Sequence, residues 1–260
     1  MKNLFNAIVI VLALAVAYFV YYAILGNQNN FNDPATKHEP KAGNVLGTIY
    51  TGGPLVGLLL SFILISLTFV VERSFTIKRA QGKGKPDAFI KKVTGLLEAG
   101  DLNAALAECD KQRGSIANVL RSAILRFKEI ENDPEFPGEK KIAEVQRAID
   151  EAMNLETPLL EKNLVILSTV ASISTMVGLL GTTLGMIRAF QALAVSGTVS
   201  AVQLSIGISE ALYNTAGGLI GAILSIVFFN FFTTKVDNFV YMIDEAILNI
   251  TQIFTIRVKK

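Results

Sequence analysis

The sequence has one cysteine, one histidine, no tryptophan and few charges, and each shortage excludes something. With Cys109 alone, no intrachain disulfide forms. With His38 the sole histidine, neither a Cys/His zinc site nor a histidine-based triad is available. Charged residues make up 18% of the chain, against 51% hydrophobic. The net charge is only +2, and no Lys/Arg run is interleaved with aromatics, so nucleic acid is not a partner. The charged part holds no convergent nucleophile, base or phosphate loop. The chain is therefore read as a non-enzyme with no catalytic residue, metal or cofactor. It also lacks the repeated halves and broken polar helices of a solute transporter.

What is present is segregated. Long stretches carry no charge, and one central stretch carries most of it, the pattern of a membrane protein. Four apolar stretches reach the roughly 20 residues that a spanning helix needs. The first occupies residues 1–25 and is uncharged from Leu4 to Leu25. It is longer than a signal-peptide core and no small-x-small cleavage site follows, so it is read as a retained anchor. The second is placed at 47–71, the third at 163–195 and the fourth at 202–234. The third contains one charge, Arg188, and the fourth one, Glu210.

Basic residues set the orientation. Arg73, Lys78, Arg79, Lys83 and Lys85 follow the second span at once, whereas the 26–46 loop has only Lys37 and Lys41. The positive-inside rule puts the 72–162 segment and the 235–260 tail in the cytoplasm, and the 26–46 loop and 196–201 hairpin outside. The 72–162 segment reads as helices. Pro86-Asp87 opens Ala88–Ala99, Asp101 caps Leu102–Lys111, and Ser115 caps Ile116–Glu131. Asp133-Pro134 to Pro137-Gly138 breaks the chain, and a new helix starts near Glu139. Thr157-Pro158 either restarts that helix or kinks it. No β pattern competes. Cys109 is expected to be a reduced, packed thiol.

Small and hydroxyl residues recur at helical steps in the third span: Ser168, Ser172, Thr175, Gly178, Thr182, Gly185 and Ala189. Gly181 and Gly185 form a GxxxG. In the fourth span Gln203, Gly207, Glu210, Asn214, Gly217, Gly221 and Ser225 share one stripe, beside Ala211, Thr215, Gly218 and Ala222. One reading is close helix packing, to which Gly178, Gly181, Gly185, Gly217, Gly218 and Gly221 are assigned. The other is a polar pathway lined by several copies of the two helices. Glu210 favours the second, because a carboxylate inside a span is costly and seldom idle. Arg188 lies at similar depth and is its candidate ion-pair partner, or else structural. Asn214 is placed in the same class.

Gly178-Leu-Leu-Gly-Thr182-Thr-Leu-Gly185-Met-Ile-Arg-Ala-Phe190 resembles the third-span signature of the ExbB/TolQ family, relatives of the flagellar stator MotA. Gly207-Ile-Ser-Glu210-Ala-Leu-Tyr-Asn-Thr215-Ala-Gly-Gly-Leu219 resembles its second signature, and Asn230 also fits. The match runs over about Leu159–Phe232. Thr175 and Leu224 stand where the family usually has prolines, and the ExbB and TolQ branches usually have three spans rather than four.

The resemblance implies a homo-oligomeric ring, typically a pentamer, in the bacterial inner membrane. A single-span ExbD/TolR-like partner would sit inside it and supply a proton-binding aspartate. Thr182, Thr215 and Glu210 would line the lumen. A TonB- or TolA-like protein would carry the force to the outer membrane. The expectation is an all-α polytopic membrane protein: three family spans, an N-terminal anchor and a cytoplasmic helical domain. It would act as an ExbB-like proton-channel subunit driving TonB-dependent import. TolQ-like or MotA-like stators, and a non-conducting scaffold, are the alternatives.

Overall fold

A computed structural model of the chain describes residues 2–37, 39–196 and 201–259. His38 and positions 197–200 of the expected hairpin lie outside the described residues. The fold is all-α, with helices α1 Lys2–Phe19, α2 Val45–Tyr50, α3 Leu55–Ala80, α4 Pro86–Glu98, α5 Leu102–Gln112, α6 Ser115–Ile130, α7 Gly138–Glu161, α8 Leu164–Ser196 and α9 Ala201–Lys259. The only β pairing among the described residues is a single bridge between Phe31 and Pro40. Four helical stretches are long and apolar enough to cross a membrane, so this is a multi-pass membrane protein. The chain divides into two compact units, Met1–Val71 with Asn163–Asn230, and Glu72–Lys162 with Phe231–Lys260.

In the first unit, α1 and the turn that follows it bury Ala13, Ala17, Tyr21 and Leu25, one residue per turn. That turn is π-helical, Val20–Leu25. The stretch read as one span at 47–71 is split. Gly52, Gly53 and Pro54 separate α2 from α3, and Gly53 turns the chain at φ 80°. Proline contributes no N–H to a continuing helix, and glycine reaches this φ without strain, so the break follows from these three residues. α3 then buries Val56, Leu59, Ile65 and Phe69.

In the second unit the helices begin and end where side chains permit. Asp101 Oδ1 accepts from Ala104 N at 2.8 Å and caps α5. Gly100 at φ 82° closes α4. The expected cap at Ser115 is corrected. Gly114 holds the cap position at φ 99°, its carbonyl accepts from Asn118 N at 3.0 Å, and Ser115 is the first helical residue. The reason is backbone proximity: a Cβ at 114 would lie 2.5 Å from Ala80 O, so only glycine fits there. α7 runs through Pro158 without restarting. The break comes at Lys162-Asn163, where Asn163 adopts φ 64°, a conformation that asparagine tolerates.

The segment 235–259 is a helical continuation of α9. Its Val236, Phe239, Ile243, Ala246, Ile250 and Phe254 are all buried. Phe254 stacks on Phe127 of α6 with centroids 4.1 Å apart. Arg257 pairs with Glu131 at 2.5 Å and lies over the Phe127 ring. Cys109 is buried, and burial foremost, then the Asp110 charge, pushes its thiol up to about 12.

Candidate functional site

Helices α8 and α9 run antiparallel and nearly touch. A Cβ at Gly178 would meet Gly218 Cα at 3.1 Å. One at Gly185 would meet Ala211 N and Gly207 O at 2.8 Å each, and one at Gly207 would meet Ala189 Cβ at 2.6 Å. Gly181 abuts the Asn214 side chain, and Gly221 abuts Ser174. These glycines hold the backbones closer than any side chain would allow. Gly217 turns the other way, toward Leu59 of α3.

Close approach brings polar groups of the two helices together. Thr182 Oγ1 and Thr215 Oγ1 hydrogen-bond to each other across the pair. Each hydroxyl also reaches a helix carbonyl at 3.3 Å, Gly178 O for Thr182 and Ala211 O for Thr215. Both threonines remain half-buried. Ser174 Oγ donates to Gly218 O at 3.0 Å.

Five residues from Thr215, or about 7.5 Å along the helix, Glu210 Oε1 forms an ion pair with Arg188. The Glu210 side chain is 12% exposed, whereas that of Arg188 is 54% exposed. An isolated carboxylate in so dry a place would be costly, and the guanidinium offsets that cost. Asn214 is fully buried between the two polar pairs. Its Nδ2 donates to Gly52 O at 2.7 Å and to Glu210 O at 3.0 Å, and its Oδ1 accepts nothing among the described residues. Farther along α9, Ser225 Oγ and Ser66 Oγ of α3 lie 2.6 Å apart, both buried.

The structure thus brings Thr182, Thr215, Arg188, Glu210 and Asn214 into one polar column. It divides the fourth-span stripe between neighbours. Gly217 and Ser225 face α3, Gly221 and the neighbouring Gly218 face α8, and Glu210 and Asn214 lie beside both α8 and the turn before α3. In the third span, Ser168, Ser172 and Thr175 bond back to α8 carbonyls and join no such column. Three participants were missed by sequence reasoning. Ser174 lies one turn from Gly178. Ser66 sits in the uncharged first part of α3, between Ser61 and Thr68. The Gly52-Gly53 turn was signalled by two glycines and a proline inside an apolar stretch.

Comparison with known proteins matches residues 112–245 to the MotA/TolQ/ExbB proton channel family. The chain is 30% identical over 189 residues to the Tol-Pal system protein TolQ of Haemophilus influenzae, covering 70% of this chain and 79% of that protein. It is 28% identical over 183 residues to the putative biopolymer transport protein ExbB-like 3 of Synechocystis, covering 70% and 81%. Over a shorter stretch of 77 residues it is 44% identical to the biopolymer transport protein ExbB of Aquifex aeolicus, covering 30% and 52%. The matched span contains all five residues of the polar column, but neither Ser66 nor the Gly52-Gly53 turn.

Proposed function

The chain belongs to the MotA/TolQ/ExbB proton channel family, and from that premise we propose that it is the ring-forming subunit of an inner-membrane motor driven by the proton gradient. Copies of α8 and α9 line a shared lumen. A single-span ExbD/TolR-like partner stands in that lumen and supplies the aspartate that takes up and releases the proton. The helical unit Glu72–Lys162 and the end of α9 lie in the cytoplasm, in keeping with the basic residues that follow the second span. The 26–46 loop lies on the opposite side.

The observation that carries this reading is the Thr182–Thr215 bridge beside the Glu210–Arg188 pair, the one ion pair between the third and fourth spans among the described residues. Two hydroxyls in mutual contact can each accept one proton while donating another, which suits a water-assisted relay. Glu210 sets the field at one end of the bridge, and Arg188 pairs with that carboxylate. Asn214 fixes the rotamer of the α9 turn between the two pairs.

Proton flux into vesicles containing this chain with its partner tests the proposal. Thr215→Ala and Glu210→Gln should each lower flux by about tenfold or more, the scale of a lost proton-transfer group, while the assembled complex keeps its mass. Full flux in both variants would reject these roles. No flux in the parent with a competent partner would favour a non-conducting scaffold.

The output is import through a TonB-like protein or envelope work through a TolA-like one. The relative named TolQ and the relative named ExbB-like 3 each align over 70% of this chain, so both branches are supported. Co-purification with a TonB-like or a TolA-like protein separates them.

A further inference from the structure

A cavity of about 410 Å³ opens beside the Glu210–Arg188 pair. Its other walls come from the end of the first span and the segments after it, including Tyr22, Thr36, Lys37 and Thr51. These residues precede the family match, which starts at 112. They are nevertheless firmly built. Asn30 Nδ2 donates to Ile24 O and Leu25 O, each at 2.9 Å, and so ties the loop to the last turn of the first span. Lys37 Nζ donates to Gly26 O at 2.7 Å, and its ammonium lies over the Tyr50 ring. Tyr50 stacks on Tyr21 with centroids 4.7 Å apart, and Phe31 closes on it edge-first.

This assembly reaches the carboxylate through one turn. Gly52 O accepts from Asn214 Nδ2 at 2.7 Å. At Gly53, φ 80°, a Cβ would stand 2.5 Å from Glu210 Oε1. Glycine is needed there twice over, for its backbone angle and for the room it leaves the acid. The hood is therefore seated on Glu210 itself, with the cavity as its mouth.

We infer that the first span, the loop after it and the Gly52-Gly53 turn form a solvent mouth through which protons reach Glu210. This rests on the proposed proton-conducting role. The lining suits the task. Tyrosine and threonine hydroxyls hold water on the way to Glu210, the single acid of the lining.

The test uses cysteines at Thr51 and Thr36 in a Cys109→Ala background, with a positively charged, membrane-impermeant methanethiosulfonate as probe. Leu46→Cys is the control: Leu46 is 44% exposed and does not line the cavity. In spheroplasts all three cysteines should label from outside. In partner-containing vesicles, labelling at position 51 or 36 should cut proton flux by about fivefold or more, because it plugs a polar passage. Labelling at position 46 should leave flux unchanged. If the Thr51 and Thr36 cysteines fail to label while position 46 labels, or if they label fully without loss of flux, the mouth is overturned. An unlabelled parent with no flux refutes the proton-channel role itself, and the labelling pattern still reports whether the cavity opens outward.

Discussion

Gly217 and Gly218 are adjacent, yet the structure gives them opposite sensitivities. A methyl at Gly218 would lie 2.7 Å from Ser174 O and 2.8 Å from Gly178 Cα. Carbon contacts settle near 3.5–4.0 Å, so α8 and α9 would have to part by roughly 0.7–1 Å. Neither clashing atom sits on a flexible side chain. Overpacking of this kind costs about 1–3 kcal/mol. Parting also stretches the 3.0 Å bond from Ser174 Oγ to Gly218 O. Alanine's better helix propensity offsets about 1 kcal/mol. Gly218→Ala should therefore destabilise by up to about 2 kcal/mol. At Gly217 the nearest atom is Leu59 Cδ1 at 3.3 Å, the tip of a side chain that can turn aside. Propensity then dominates, and Gly217→Ala should be neutral or stabilising by up to about 1 kcal/mol. Reversible unfolding in mixed micelles, followed by far-UV circular dichroism, measures both. If Gly218→Ala proved no less stable than Gly217→Ala, the close α8–α9 crossing would be refuted.

A double-mutant cycle with Thr182→Val and Thr215→Val should give a coupling of about 0.6 kcal/mol, the mean for such bonds in membranes; additive losses would mean that the two hydroxyls do not meet. Arg113 adopts φ 56° with ψ 167°, a region that only glycine occupies cheaply. Arg113→Gly should therefore stabilise by roughly 1 kcal/mol, read as a higher Tm. For Cys109, the thiol's raised pKa means that its contribution is complete below the unfolded value of about 8.5. That contribution is lost as pH rises toward about 12. Alkaline unfolding of Cys109→Ala should lack this component, and the native thiol should resist alkylating reagents at neutral pH.

Much of the fold is local and was legible. Asp101 carries the chemistry of a helix start in its side chain, and Gly100 that of a helix stop in its lack of one. Where sequence reasoning slipped, a distant backbone intervened. Ser115 has the right hydroxyl for a cap, but the approach of Ala80 to Gly114 moves the cap back one residue. The continuation of α9 through 235–259 was within reach. Its buried residues fall three or four apart from Val236 to Phe254, the same period that identified the other helices. The charges between them masked it.

The site was legible in proportion to how little each residue can satisfy itself. A serine or threonine in a span closes a bond onto its own helix, as Ser172 does with Ser168 O and Thr183 with Leu180 O. Both are exposed on the helix surface, and the bond removes most of the cost of facing lipid. A hydroxyl stripe is therefore weak evidence of a polar pathway, and part of the stripe read from this sequence proved to be packing against α3 and α8. Glycines are weaker still, since each meets a neighbouring backbone or side chain without any polar requirement. A carboxylate has no such local remedy. Its own helix offers mainly carbonyls, which repel it, so a buried Glu210 requires a donor from another element. That donor is Arg188, 22 positions away on α8. The demand is visible in the sequence as a lone acid in an apolar span. The turn at Gly53 that closes over the acid could be found only in three dimensions.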